Sequence, residues 1–351
     1  MPISIMSRRS FASGAAATAL IAGDSRFSNA QNAAAGAVLS RPTDQALISA
    51  AKAEGAITTY GASSIVAIKS DADDFQKAYG IPVTYTQITS APLTARVDQE
   101  IKAGAIAVDV ITTADRAALE RWVAGGQIGK LPMLNFPQQT EYLAQIQAVY
   151  QALFYNTSLV SGSNIPKAWS EVLDPRFTGK IVLGTPRIAP GYSELYYALL
   201  KHPKYGTAFF EQLAKQNPRV VQSPVLVAQS VASGEASLGF TGLPYEAVNI
   251  TNANPSAPIA YTYLDVVTGA YTYVAINAKA QHPNAAKLFA AWMLSPEGQV
   301  AHNGEGRASS LLGDLPGTLK APDPSRIDPT TAEMVVADYA TLTSLFDRLF
   351  G

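Results

Sequence analysis

The 351-residue chain contains no cysteine and only three histidines, and its formal net charge is −1. Without cysteine there is no disulfide framework, no thiolate metal site and no cysteine nucleophile. Nor can a lipid-bearing cysteine follow an N-terminal leader. Near-neutral charge leaves out the basic footprint of a nucleic-acid binder. Beyond the first residues no run approaches the roughly 20 apolar residues that a membrane-spanning helix needs. His202 and His282 precede prolines in turns and His302 stands past a helix, so they form no constellation at metal-ligand spacing. Glycine-rich phosphate loops, nucleophile elbows and zinc motifs are also missing. No metal and no cofactor is therefore expected. The remaining composition, 48% hydrophobic and 15% charged, is that of a globular protein long enough for two lobes, each with its own core.

What is present starts with "SRRSFASGAAATALIAG". Arg8 and Arg9 have no acidic partners nearby, and the run from Phe11 to Gly23 is too rich in small residues to anchor a core. A charged segment, a short apolar segment and small residues around Ser28-Asn29-Ala30 read as a cleaved leader. The paired arginines followed by serine and phenylalanine resemble the twin-arginine export signal. The resemblance implies a signal peptide over 1–30, a flexible connector over 31–41 and a protein free in the periplasm. A cysteine-free chain suits that oxidising compartment. The alternative is an uncleaved, unstructured N-terminus.

From Pro42 onward the pattern is regular. "TDQALISAAKAEG" reads as a helix, with Asp44 as cap and Gly55 as stop. "AITTYGASS", "IPVTYTQIT" and "AVDVITTAD" read as strands, separated by the helices "IVAIKSDADDFQKAYG" and "APLTARVDQEIKAG". That alternation predicts parallel βαβ units. "AVYQALFYNTSLV" reads as a strand pair or one long strand, "KAWSEVLDPRFTGKIVLGTP" as a short helix running into a strand, and "GYSELYYALLKHPKYG" as a helix. "VAQSVASGEASLGFTG" reads as a helix and then a strand, and "YTYLDVVTGAYTYVAIN" as two strands around a glycine turn. "HPNAAKLFAAWMLSPEGQVAHN" reads as one long helix, and "TAEMVVADYATLTSLFDRLF" as a last amphipathic one.

Three stretches, in order, carry a resemblance to a family: "EGAITTYGASS", "FQKAYGIPVTYTQITSAPLTARVDQEIKAGAIAVDVITTAD" and "GAYTYVAINAKAQHPNAAKLFAAWMLSPEGQVAHNGEGRASS". Together they resemble the type II periplasmic solute-binding proteins of ABC importers, nearest the ferric-ion, phosphonate and sugar-phosphate subgroup. The resemblance implies an α/β fold of two lobes, each a mainly parallel sheet flanked by helices, joined by two crossing strands. Lobe 1 would take residues 42–148 and 273–320 and lobe 2 residues 149–272, with 321–351 a helical segment of either lobe. It further implies a monomer that performs no chemistry. Such a protein would capture a small polar, anionic solute (a phosphonate, phosphate ester, carboxylate or ferric complex) and deliver it to an inner-membrane permease. The alternatives are a periplasmic enzyme on the same architecture or a ferric-ion binder using a carried anion.

Candidate ligand residues follow strands and precede helices, where backbone N–H groups face a crevice. Ser63 and Ser64 either cap the next helix or donate to ligand oxygens. Thr89 and Ser90 have the same two readings and match the family's second ligand loop. Arg187, with Gly191, Tyr192 and Ser193 just beyond, offers a planar fork for a carboxylate or phosphate; otherwise it is a surface arginine. Tyr245 stands in "LPYE", where ferric-binding relatives carry adjacent tyrosines. The missing second tyrosine weighs against iron. Asp265 reads either as a partner for a ligand amine or as a turn residue.

Overall fold

The computed structural model describes residues 41–351 except 133, 135–138 and 189. The leader at 1–30 and the connector up to residue 40 lie outside those residues.

Local chemistry sets the first elements. Helix α1 (Gln45–Glu54) starts where the Asp44 carboxylate accepts from the Ala46 and Leu47 N–H groups, at 2.9 and 3.3 Å. Then come β1 (Ile57–Gly61), α2 (Ile65–Tyr79), β2 (Val83–Gln87), α3 (Ser90–Lys102), β3 (Val110–Thr113), α4 (Arg116–Ala124) and β4 (Ile128–Gly129). Strand β1 pairs in parallel with both β2 and β3, as βαβ connections require.

Strand β5 (Ala144–Tyr150) passes almost directly into β6 (Ala152–Asn156), which belongs to a second sheet. That sheet is completed by β7 (Ile181–Gly184), α5 (Pro190–Lys201), α6 (Gly206–Lys215), β8 (Arg219–Val221), α7 (Pro224–Ala232), β9 (Leu238–Gly242), α8 (Pro244–Ala253) and β10 (Ile259–Thr262). The chain returns through β11 (Gly269–Asn277) and continues as α9 (Pro283–Met293), α10 (Pro296–Asn303) and α11 (Ala332–Phe350). The first sheet has the order β2-β1-β3-β11-β4, with β5 also on β11; the second is β10-β6-β9-β7-β8.

Each sheet has its own core. Phe75 lies edge-on to Phe289 and Trp292 in lobe 1, with centroids 5.0 and 5.5 Å apart. In lobe 2 Phe240 contacts Trp169 and Tyr196 at 4.6 and 5.6 Å. The result is the two-lobed α/β fold.

The sheets are mixed rather than mainly parallel: β11 runs antiparallel to β3, β4 and β5, and β6 runs antiparallel to β9 and β10, because these strands carry the chain between the lobes. Two local expectations also fail. The single long helix over 282–303 is broken into α9 and α10, because Pro296 has no N–H to continue the ladder and the Ser295 hydroxyl accepts from Gly298 N to start a new helix. The two strands "around a glycine turn" are not a hairpin: β10 pairs with β6 in one sheet and β11 with β5 and β3 in the other. Gly269 instead opens β11 opposite Tyr150, where a Cβ would come within 2.8 Å of the Tyr150 ring.

The C-terminal segment crosses to lobe 2. On the way Val267 bonds to the backbone of Arg326 and Asp328, at 2.8 and 2.7 Å. Helix α11 then packs on α5 and α6: Phe346 contacts Tyr196 at 5.6 Å and Phe350 at 4.9 Å, and Lys201 pairs with Asp338 at 2.8 Å. Phe346 is almost fully buried. Phe346→Ala is expected to lower stability by about 3 kcal/mol, read as a shift of the urea midpoint without a change in slope.

Candidate functional site

The carboxyl ends of β1, β3, β7 and β9, and the helices that follow them, border the crevice in this topology. At its base the two crossing segments run side by side. The Gln151 N–H donates to the Thr268 carbonyl at 3.0 Å, and Tyr150 stands opposite Gly269. The first turn of α5 reaches this base: a Cβ at Gly191 would collide with Gln151 Nε2. A larger residue there would have to push the end of the Gln151 side chain aside.

Most buried polar atoms in folded proteins have hydrogen-bond partners. Seven buried side-chain atoms among the described residues have none, and four of them belong to the lobe junction or to the first turns of α5: Gln151 Nε2, Thr268 Oγ1, Tyr192 OH and Glu194 Oε2. Gln151 does use its other amide atom, since Thr241 Oγ1 donates to Oε1 at 3.0 Å. Glu194 is 5% exposed. Burial, with a smaller contribution from the nearby Glu333 charge, pushes its carboxyl up to about 7. Glu194 also acts electrostatically on Tyr271 of β11, across the junction. Burial raises Tyr192 and Tyr271 far above the usual phenol range and Tyr245 to about 12, so all three rings are neutral. Beside the junction, Arg116, Tyr142, Leu143 and Tyr273 help line a recess of about 230 Å³.

The residues singled out in the sequence separate into groups. Gly191, Tyr192 and Ser193 lie in the first turn of α5, with Tyr192 and Ser193 buried. Tyr245 is half-buried at the start of α8 and raises Tyr192 electrostatically. Thr89 occupies the cap position of α3 without making a side-chain cap bond, and Ser90 is the first residue of that helix. Ser64 is the cap of α2, its hydroxyl accepting from Ala67 N at 3.3 Å. Ser63 turns inward. Arg187 is exposed, and its fork is filled by Asp347 of α11 in two bonds of 2.8 and 2.7 Å. Asp265 is also committed, accepting from Lys204, Tyr205 and the Trp169 backbone.

One arrangement escaped the sequence. Ser63 Oγ lies 3.2 Å from His302 Nε2, and His302 Nδ1 lies 2.7 Å from Asp71 Oδ2. All three side chains are buried, His302 completely. The helix break at Pro296 aims α10 at α2 and sets His302 between Asp71 and the end of β1. Read as a lone histidine past a helix, it gave no signal, because its partners are 239 and 231 positions away. Among the described residues no group of His, Cys, Asp and Glu is arranged to hold a metal ion.

Residues 61–300 match the family model of the bacterial extracellular solute-binding proteins. An uncharacterized protein of Haemophilus influenzae is 27% identical over 179 residues, half of this chain and half of that protein. Among solved structures, a putative extracellular solute-binding protein from Bordetella parapertussis superposes with a TM-score of 0.68 at 13% identity, covering 85% of this chain and 100% of that one. Iron-bound HitA from Pseudomonas aeruginosa gives a TM-score of 0.60 at 18% identity, covering 84% and 99%. At such identities the likeness shows the fold alone.

Two outcomes test the site's energetics. The folded-state pKa of Glu194 lies above its unfolded value. Its contribution to stability is therefore complete at low pH and is lost as pH rises through about 7. Glu194→Gln should match the parent near pH 4.5 and exceed it by about 2–3 kcal/mol at pH 8.5, measured by urea unfolding at both pH values. His302→Ala should cost about 3 kcal/mol, because it strips the buried Asp71 carboxyl of its partner; the same unfolding assay checks it.

Proposed function

The chain belongs to the bacterial extracellular solute-binding proteins, and from that premise we propose that it is the capturing component of an ABC importer. On this reading the leader directs it to the periplasm by the twin-arginine route. The two lobes close over a small polar solute beside the first turn of α5, and the loaded protein hands the solute to an inner-membrane permease.

The observation that carries the reading is the group of unpartnered buried atoms on Gln151, Thr268, Tyr192 and Glu194. Leaving such an atom without a partner costs on the order of 1–3 kcal/mol. A solute that reaches any of these atoms relieves part of that cost. Gly191, Tyr192, Ser193 and Tyr245 contribute from lobe 2; Ser63, Thr89 and Ser90 contribute from lobe 1. Ser64 acts through its backbone, since its hydroxyl caps α2. Exposed apolar residues, Ile65 and Val66 at the start of α2 and Val225 and Leu226 in α7, give each lobe a surface that closure can cover.

The expectation of an anion came from the family resemblance and the backbone N–H groups at the crevice, with Arg187 as its sharpest side-chain candidate. With Asp347 in its fork, Arg187 acts as a fastener for α11 rather than as a solute clamp. An enzyme reading has one observation in its favour, the Ser63–His302–Asp71 chain. A fully buried imidazole and a serine that is 9% exposed suit a support for the first loop better than an attacking group.

The test is a thermal-shift screen of small polar solutes paired with small-angle scattering. One chemical class should raise the melting temperature, reflecting about 2.7 kcal/mol at a hundredfold excess over Kd. The same class should shrink the radius of gyration and be recovered unchanged. Gly191→Val should weaken that solute at least tenfold, and Arg187→Ala should leave its affinity within about twofold. A solute that binds without compaction, or is turned over in a Ser63-dependent way, overturns the reading.

A further inference from the structure

We infer that two copies of this chain pair edge to edge through β2, antiparallel and centred on Tyr85, so that their lobe 1 sheets continue into each other. The resemblance to monomeric binding proteins gives no hint of this; the strand edges do.

An edge strand offers unpaired backbone groups to any other strand, and folded proteins guard such edges with brevity, charge or cover. The other edges of this molecule are guarded. Strand β4 has two residues; β8 has three and carries Arg219, which pairs with Glu235 at 3.0 Å. Strand β10 runs into Tyr263, whose carbonyl accepts from Arg326 and whose hydroxyl donates to the Lys320 carbonyl, both at 3.0 Å. Strand β5 is bridged to Gln139 and Ser309. Strand β2 is five residues long, and among the described residues only β1 pairs with it. No charged side chain occurs between Lys77 and Arg96. Lys69 of α2, which acts electrostatically on Tyr85, is paired with Asp73.

The register selects the occupant. The Ile57 N–H donates to the Pro82 carbonyl and the Ile88 N–H to the Gly61 carbonyl, at 3.1 and 2.9 Å, across an unbroken parallel register. Backbone directions alternate along a strand, so the N–H and C=O groups of Val83, Tyr85 and Gln87 point away from β1. These positions are symmetric about Tyr85. In an antiparallel pair of copies Tyr85 meets its own counterpart and Val83 meets Gln87, each giving and taking a backbone bond. Between them Thr84 falls opposite Thr86 of the second copy; both threonines are exposed. Aromatic and threonine pairs are favourable in such places, and like charges meet nowhere. An acidic or basic peptide, by contrast, finds no complementary charge along this stretch. The contact is two-fold and closes on itself. Strand β2 ends the sheet order on the side away from β11, so the pairing does not involve lobe 2 and is independent of where a solute binds.

Sedimentation velocity on the whole chain, from micromolar to millimolar, should show the mass rising from one chain to two. Thr84→Lys combined with Thr86→Lys sets like charges opposite each other and should weaken the dimer by about tenfold or more. Thr84→Lys combined with Thr86→Glu sets opposite charges against each other in the same register and should keep it. Because the chain has no cysteine, Tyr85→Cys places a single thiol at the two-fold axis, where the Cα spacing of about 5.5 Å suits a disulfide. Mild oxidation should therefore link two copies of that variant, but not two copies of Val83→Cys. A single-chain mass throughout, a dimer indifferent to the paired lysines, or loss of the dimer in both charge variants overturns the inference. So does a disulfide that forms as readily at Val83→Cys as at Tyr85→Cys.

Discussion

Where a strand leaves one sheet to enter another, its backbone groups lose the neighbours that a ladder supplies. Here two segments make that passage, and each supplies the other: the Gln151 N–H meets the Thr268 carbonyl while Tyr150 stays in register with Gly269. The rest of the architecture depends on this narrow double crossing. It separates two sheets with independent aromatic cores, so neither lobe needs the other to bury its apolar surface. It also draws side chains such as Gln151 and Thr268 into a place that neither sheet can satisfy. The orphaned atoms of Gln151 and Thr268 follow from that geometry.

The C-terminal segment runs beside the double crossing. It bonds to lobe 1 through Ser309 N and the Ala148 carbonyl, passes along Val267, and ends as α11 on the far lobe. These attachments flank the crossing segments rather than span the crevice mouth. Phe346 in the lobe 2 core, with Lys201–Asp338 and Arg187–Asp347 at the surface, makes α11 part of lobe 2.

Much of the fold was legible because it is written locally. Asp44, Ser64 and Asp115 cap helices through hydrogen bonds spanning two or three residues, and the parallel βαβ units appear as an alternation of periods. The site was legible only in part. The first turn of α5, with Gly191, Tyr192 and Ser193, is placed by its position after β7, which sequence order reveals. Arg187 looked like an anion clamp because nothing local shows that Asp347, 160 residues on, fills its fork. His302 looked idle for the same reason. Glu194 gave no signal at all: an acidic residue near the start of a helix is ordinary, and only three-dimensional burial without a partner makes it unusual.

The buried polar groups of the two lobes stand in different energetic states. In lobe 1 the Ser63 hydroxyl is held by a buried chain to His302 and Asp71, so its orientation is set. In lobe 2 Glu194 has an unsatisfied oxygen, and burial works against its ionisation. Asp71 has its partner in His302, so the cost of burying that carboxyl is offset within lobe 1. Glu194 has no such partner, and its burial is a cost that lobe 2 carries in this structure.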